Sequence, residues 1–88
     1  MQVIAIHIVT NQQQFWDQAA EGTRSLPEGV VLQSIAPSQD GMKAICLWDA
    51  PSEDRVRQVV EDMVGNCSSN EFFPVDPVNA VGLPATSS

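Results

Sequence analysis

Two hydrophobic periods run through the chain. Residues 3–9, Val3-Ile4-Ala5-Ile6-His7-Ile8-Val9, are β-branched at five of seven positions and contain no breaker. Such a run reads as a central strand, apolar on both faces. One face is a uniform row of Ile4, Ile6 and Ile8; the other mixes Val3, Ala5, His7 and Val9. Thr10 or Asn11 then caps a helix over residues 12–23, in which Phe15, Trp16, Ala19 and Ala20 share one side. Leu26-Pro27-Glu28-Gly29 is a turn, and residues 30–36 form a second strand. Asp40-Gly41 marks a hairpin loop, which makes the third strand, residues 43–49, antiparallel to the second.

The strongest local signature is Ala50-Pro51-Ser52-Glu53-Asp54. Ser52 is a natural N-cap, and the two carboxylates sit where a helix N-terminus is positive. Val56, Val59, Val60, Met63 and Val64 follow at helical spacing, and Gly65-Asn66 closes the helix. Residues 67–70 read as a polar loop and 71–75 as a fourth strand, placed at a sheet edge by Pro74. Residues 78–81 suit one helical turn. A single domain over 1–83 is expected, with 84–88 fraying.

The order β-α-β-β-α-β implies an α+β fold of the ferredoxin-like plan: a four-stranded antiparallel sheet with two helices on one face. The first and third strands are central in that plan. The aliphatic rows Ile4, Ile6, Ile8 and Ile45, Leu47 are expected beneath the helices. The mixed rows Ala5, His7, Val9 and Ala44, Cys46, Trp48 are expected to face away from them. That open face is too apolar for water, so a homodimer packed sheet to sheet is expected, with Leu83 and the tail lying across the partner.

The stretch Ile45-Cys46-Leu47-Trp48-Asp49-Ala50-Pro51-Ser52, with Val56, Val59, Gly65 and Asn70-Glu71-Phe72-Phe73-Pro74-Val75, resembles the dimeric α+β-barrel superfamily. Within it, the chain is most similar to a small bacterial family of unknown function that includes a nickel-binding member. The resemblance covers about two thirds of the chain and matches His7 to a strand-one histidine of that family. It implies a dimeric barrel and a metal or small-molecule site. This chain has Ile8 where that family carries a second histidine, and Asn66-Cys67 where it carries another. Other members of the superfamily are monooxygenases and isomerases.

Charge narrows the partners. Eleven acidic and four basic side chains give a net charge of −7. That balance excludes nucleic acid and anionic membrane surfaces, which select clustered Lys and Arg. No apolar run is long enough to span a bilayer, and residues 1–9 lack the basic flank of a signal peptide. Cys46 and Cys67 are too few for a disulfide framework, which makes the cytoplasm the default location.

Candidate chemistry gathers on the mixed rows. His7, Cys46 and Trp48 are expected to bound a ligand pocket with the first helix as its outer wall, and Phe15 and Trp16 as core or pocket roof. His7 and Cys46 are also the candidate metal ligands, for Ni(II) or Zn(II), with binding weakening below about pH 6 as the imidazole protonates. The cluster Asp49, Glu53, Asp54 matches no calcium loop, and helix capping accounts for two of its carboxylates. A free thiol is expected at Cys67. Two functions follow. The first is a homodimeric binding protein holding a small ligand or soft metal ion between sheet and helices. The alternative is a cofactor-independent, monooxygenase- or isomerase-like enzyme on a small aromatic or lactone substrate.

Overall fold

A computed structural model describes residues 1–85. The elements are β1 (Gln2–Val9), α1 (Gln12–Gly22), β2 (Val31–Pro37), β3 (Lys43–Asp49), α2 (Glu53–Val64) and β4 (Ser68–Pro74). A 3-10 turn, Thr23–Ser25, follows α1. The strands make one antiparallel sheet in the order β2-β3-β1-β4, the ferredoxin-like arrangement, with β1 and β3 central. No helix among the described residues is long and apolar enough to cross a membrane.

The local signals act as their chemistry dictates. Of the two candidate caps of α1 it is Asn11 whose side chain accepts from Gln14 N. Asp40 Oδ1 accepts from the Ser38 hydroxyl and from Met42 N, tying the β2–β3 loop, while Gly41 supplies the left-handed residue at φ +74. Ser52 Oγ accepts from Arg55 N at 3.1 Å, and Glu53 and Asp54 occupy the first turn of α2. Ser52→Ala is therefore expected to cost about 1 kcal/mol. In a chain this short that lowers the thermal midpoint by about 4–8 °C, measurable by circular dichroism.

The two faces of the sheet are the reverse of the expectation. Val3, Ala5, His7 and Val9 of β1 and Ala44, Cys46 and Trp48 of β3 are buried beneath the helices, with Phe15, Val56, Val60 and Val64 above them. Ile4, Ile6 and Ile8, with Ile45 and Leu47, face the other way. Volume decides this. Small side chains on the inner rows of the central strands, Ala5 and Ala44, leave room for Phe15 and the valines of α2, whereas a floor of isoleucines would overfill the layer. The inversion removes the ground on which the pocket was expected, mixed rows facing away from the helices: His7, Cys46 and Trp48 lie beneath α1 and α2 instead.

The second difference lies in β4. It begins at Ser68, so residues 68–70, expected as loop, are strand and pair with β1. His7 stands opposite Asn70, Ala5 opposite Phe72 and Ile4 opposite Phe73. Phe72 is thus buried under α2, and Phe73 joins the isoleucines on the open face.

After Pro74 the chain turns at residues 77–79, where Asp76 accepts from Val78 N and Asn79 Nδ2, and runs back over one end of the open face. Gln2 Nε2 donates to Pro84 O at 3.0 Å and Gln33 Nε2 to Ala85 O at 2.9 Å. Pro84 and Ala85, in the segment expected to fray, thus accept hydrogen bonds from the sheet; residues 86–88 lie outside the described residues.

Candidate ligand cavity

His7, Cys46 and Trp48 come together. β1 and β3 place Ala5 opposite Cys46 and Val3 opposite Trp48, so all three side chains rise toward the helices from adjacent strands. They line a cavity of about 20 Å³, roofed by Phe15 and Ala19 of α1 and bounded by Met63 of α2 and Ile35 of β2. The Phe15 and His7 ring centroids are 5.5 Å apart, and Trp16 packs edge-on against Phe15 from outside at 4.9 Å. A cavity of this size holds about one water molecule or a group of similar bulk.

A chain of hydrogen bonds sets the protonation of the site. Asn70 Nδ2 donates to Glu61 Oε1 at 3.1 Å, which turns Asn70 Oδ1 toward His7. His7 Nδ1 lies 2.6 Å from that oxygen, so this nitrogen carries the proton. Nε2 is then the bare nitrogen, 3.2 Å from Cys46 Sγ, and accepts from the thiol. Burial reinforces the neutral pair. It pushes the Cys46 thiol up to about 12, and it lowers the His7 pKa against the opposing hydrogen bond to Asn70 and the Glu61 charge. At neutral pH both groups are uncharged.

Trp48 differs from these two. Its indole nitrogen is buried and has no hydrogen-bond partner among the described residues. A buried donor left unpaired costs about 1–3 kcal/mol, and native structures rarely tolerate one without a reason.

No family model matches the chain, and no curated protein does. The site must be read from its own chemistry.

That chemistry does not fit a metal centre. His7 and Cys46 are two donors, and no group of three His, Cys, Asp or Glu side chains suited to a metal occurs among the described residues. Zn(II) sites draw on three or four protein ligands. In the acidic cluster, Glu53 instead pairs with Arg57 at 3.3 Å. Cys67 is free, as expected, but buried rather than looped into solvent.

Asn70 is the site residue that sequence reasoning missed. Ser68-Ser69-Asn70 carries no hydrophobic alternation, and only pairing with β1 makes it strand.

The buried neutral histidine has a pH consequence. Its folded pKa lies below the unfolded value of 6.5, so the unfolded chain binds the proton first as pH falls. The associated stability is complete above pH 6.5 and is lost below it, by at most ~1.4 kcal/mol per pH unit, until the folded group also titrates. Urea midpoints between pH 7.5 and 5 are expected to fall in the native protein and to fall less in His7→Gln. Equal slopes would show that His7 does not carry the effect.

Proposed function

We propose that the protein is a homodimeric small-molecule-binding protein of the dimeric α+β-barrel type, with an uncharged ligand held between sheet and helices. The observation that carries the reading is the unpartnered indole N–H of Trp48, a residue that lines the cavity. A ligand oxygen accepting from it recovers the hydrogen bond that the fold leaves unmade. The ligand is uncharged because no cation or anion awaits it: His7 is neutral and Cys46 keeps its proton.

The open face supports the dimer. Ile4, Ile6, Ile8, Ile45 and Phe73 form a contiguous apolar surface, and Ile45 is 51% exposed. Surfaces of this kind in a monomer mark interaction sites. Four strands at a spacing of ~4.8 Å and a length of ~23 Å present roughly 440 Å². A stable interface needs about 800 Å² from each partner. The tail adds to the sheet: Val78 and Val81 are 87% and 93% exposed beside it, apolar surface that a second copy would cover.

A second reading rests on the bare Nε2 of His7. A neutral imidazole with its Nδ1 proton held by Asn70 becomes a general base beside the cavity once the Cys46 thiol turns off Nε2. Isomerisation by proton abstraction from a bound carbonyl compound is the chemistry it suits.

The binding reading is tested by proton NMR of the Trp48 indole N–H, assigned in a Trp16→Phe background, during titration with propanal and 1-propanol. A saturable downfield shift is expected with both and none with propane, which lacks an acceptor. Absence of any saturable shift would remove the reading. Deuterium exchange at the α-carbon of bound propanal, lost in His7→Gln, would establish the second one.

A further inference from the structure

Between α1 and α2, on the outer side of the helical layer, lies an open cleft of about 620 Å³. Its floor is apolar, with Leu26, Pro27 and Val59, and its rim carries Glu21, Asp62 and Arg55. The cavity at Trp48 lies on the inner side of the same two helices. One residue, Met63, belongs to both linings. Its side chain lies flat against Gly22, where a Cβ would come within 2.6 Å of Met63 Cγ and 2.8 Å of Sδ. A glycine at the end of α1 thus provides the seat for a methionine of α2.

We propose that cleft and cavity are two halves of one binding site divided by Met63, and that its ligand is an unbranched, uncharged chain with a hydrogen-bond acceptor at one end. This rests on the ligand reading of the cavity and goes beyond it by naming the route and the ligand class. Methionine is unbranched, with three rotatable bonds and no β-branch to lock it, so rotation out of its seat costs little. The channel it vacates has the cross-section of the side chain that filled it, which admits a linear chain and excludes a branched one. At the inner end the acceptor meets the Trp48 N–H. At the outer end the chain lies on Leu26 and Val59. With two carboxylates against one guanidinium, the rim disfavours an anionic head group there. Fatty alcohols and aldehydes have this form.

The test uses 1-octanol and its branched isomer 2-ethyl-1-hexanol, with the Trp48 indole N–H shift as readout in the Trp16→Phe dimer. The parent is expected to bind 1-octanol and to discriminate against the isomer. A closed gate whose open state is at most ~10% populated weakens apparent affinity about tenfold or more. Met63→Ala should recover that factor and abolish the discrimination. Gly22→Ala, which removes the seat without altering the cavity wall, should shift affinity in the same direction. Ile35→Ala opens the other boundary of the cavity and so tests entry past β2 instead. Equal binding of the two isomers to the parent would overturn the ligand class. Unchanged affinity in both Met63→Ala and Gly22→Ala, or a gain confined to Ile35→Ala, would overturn the route. In either case a persisting propanal shift would leave the cavity reading standing, and its loss would show that the cavity reading itself had failed.

Discussion

Ile45→Asp is expected to convert a dimer of twice the 9.5 kDa chain mass into a folded monomer. Ile45 sits on β3 opposite Ile6, on the open face, and is half exposed in the single chain, so the substitution removes little from the monomer's own core. In a face-to-face dimer the twofold axis brings two new carboxylates into one dry layer. Burying an unpaired charge costs several kcal/mol, and symmetry counts it twice. The dissociation constant should therefore rise by about three orders of magnitude or more, since each ~1.4 kcal/mol is a factor of ten. Sedimentation equilibrium at micromolar concentration measures it. Circular dichroism should show an unchanged fold, and the urea midpoint should lose its dependence on protein concentration. A parent protein that already sediments as a monomer would show that the isoleucine face is tolerated in water. A dimer surviving Ile45→Asp would move the interface elsewhere.

Phe15→Ala is expected to cause the largest loss of stability. Phe15 is 1% exposed, the bulkiest of the fully buried side chains, and it roofs His7. Truncating such a ring costs about 3–5 kcal/mol, the sum of lost transfer energy and an unfilled cavity. A domain of this length holds about 4–13 kcal/mol in all, so the variant stands near or below the folding threshold. Phe15→Leu keeps most of the volume and should lose about half as much or less. Urea unfolding of the three proteins gives the order, and a cost below about 1 kcal/mol for the alanine variant would place Phe15 outside the core. His7, the sole histidine of the chain, supplies an independent readout. Where Phe15→Leu admits water above the imidazole, desolvation weakens and the His7 pKa should move back toward 6.5, visible by NMR titration.

What is local in this fold is legible in the residues. The breaker-free β-branched run of β1, the Asp40-Gly41 loop, and the Ser52 cap with valines at helical spacing each specify one element from neighbours in the chain. Their order leaves the ferredoxin-like plan as the compact solution. The pairing of His7 with Cys46 and Trp48 was legible for the same reason: alternation puts them on one side of adjacent strands. Alternation does not say which side. Both rows of β1 are apolar enough to be buried, and a period of two is blind to the choice between them. Tertiary packing made it by volume, admitting Ala5 and Ala44 beneath Phe15 and the α2 valines and leaving the isoleucines outside. Asn70 was beyond reach as well, because a serine-serine-asparagine segment becomes strand only by borrowing the edge of β1. Its amide orientation comes from Glu61, nine residues earlier on α2. The proton on His7 Nδ1, and with it the neutral character of the whole cavity, is therefore a property of three elements meeting and of none of them alone.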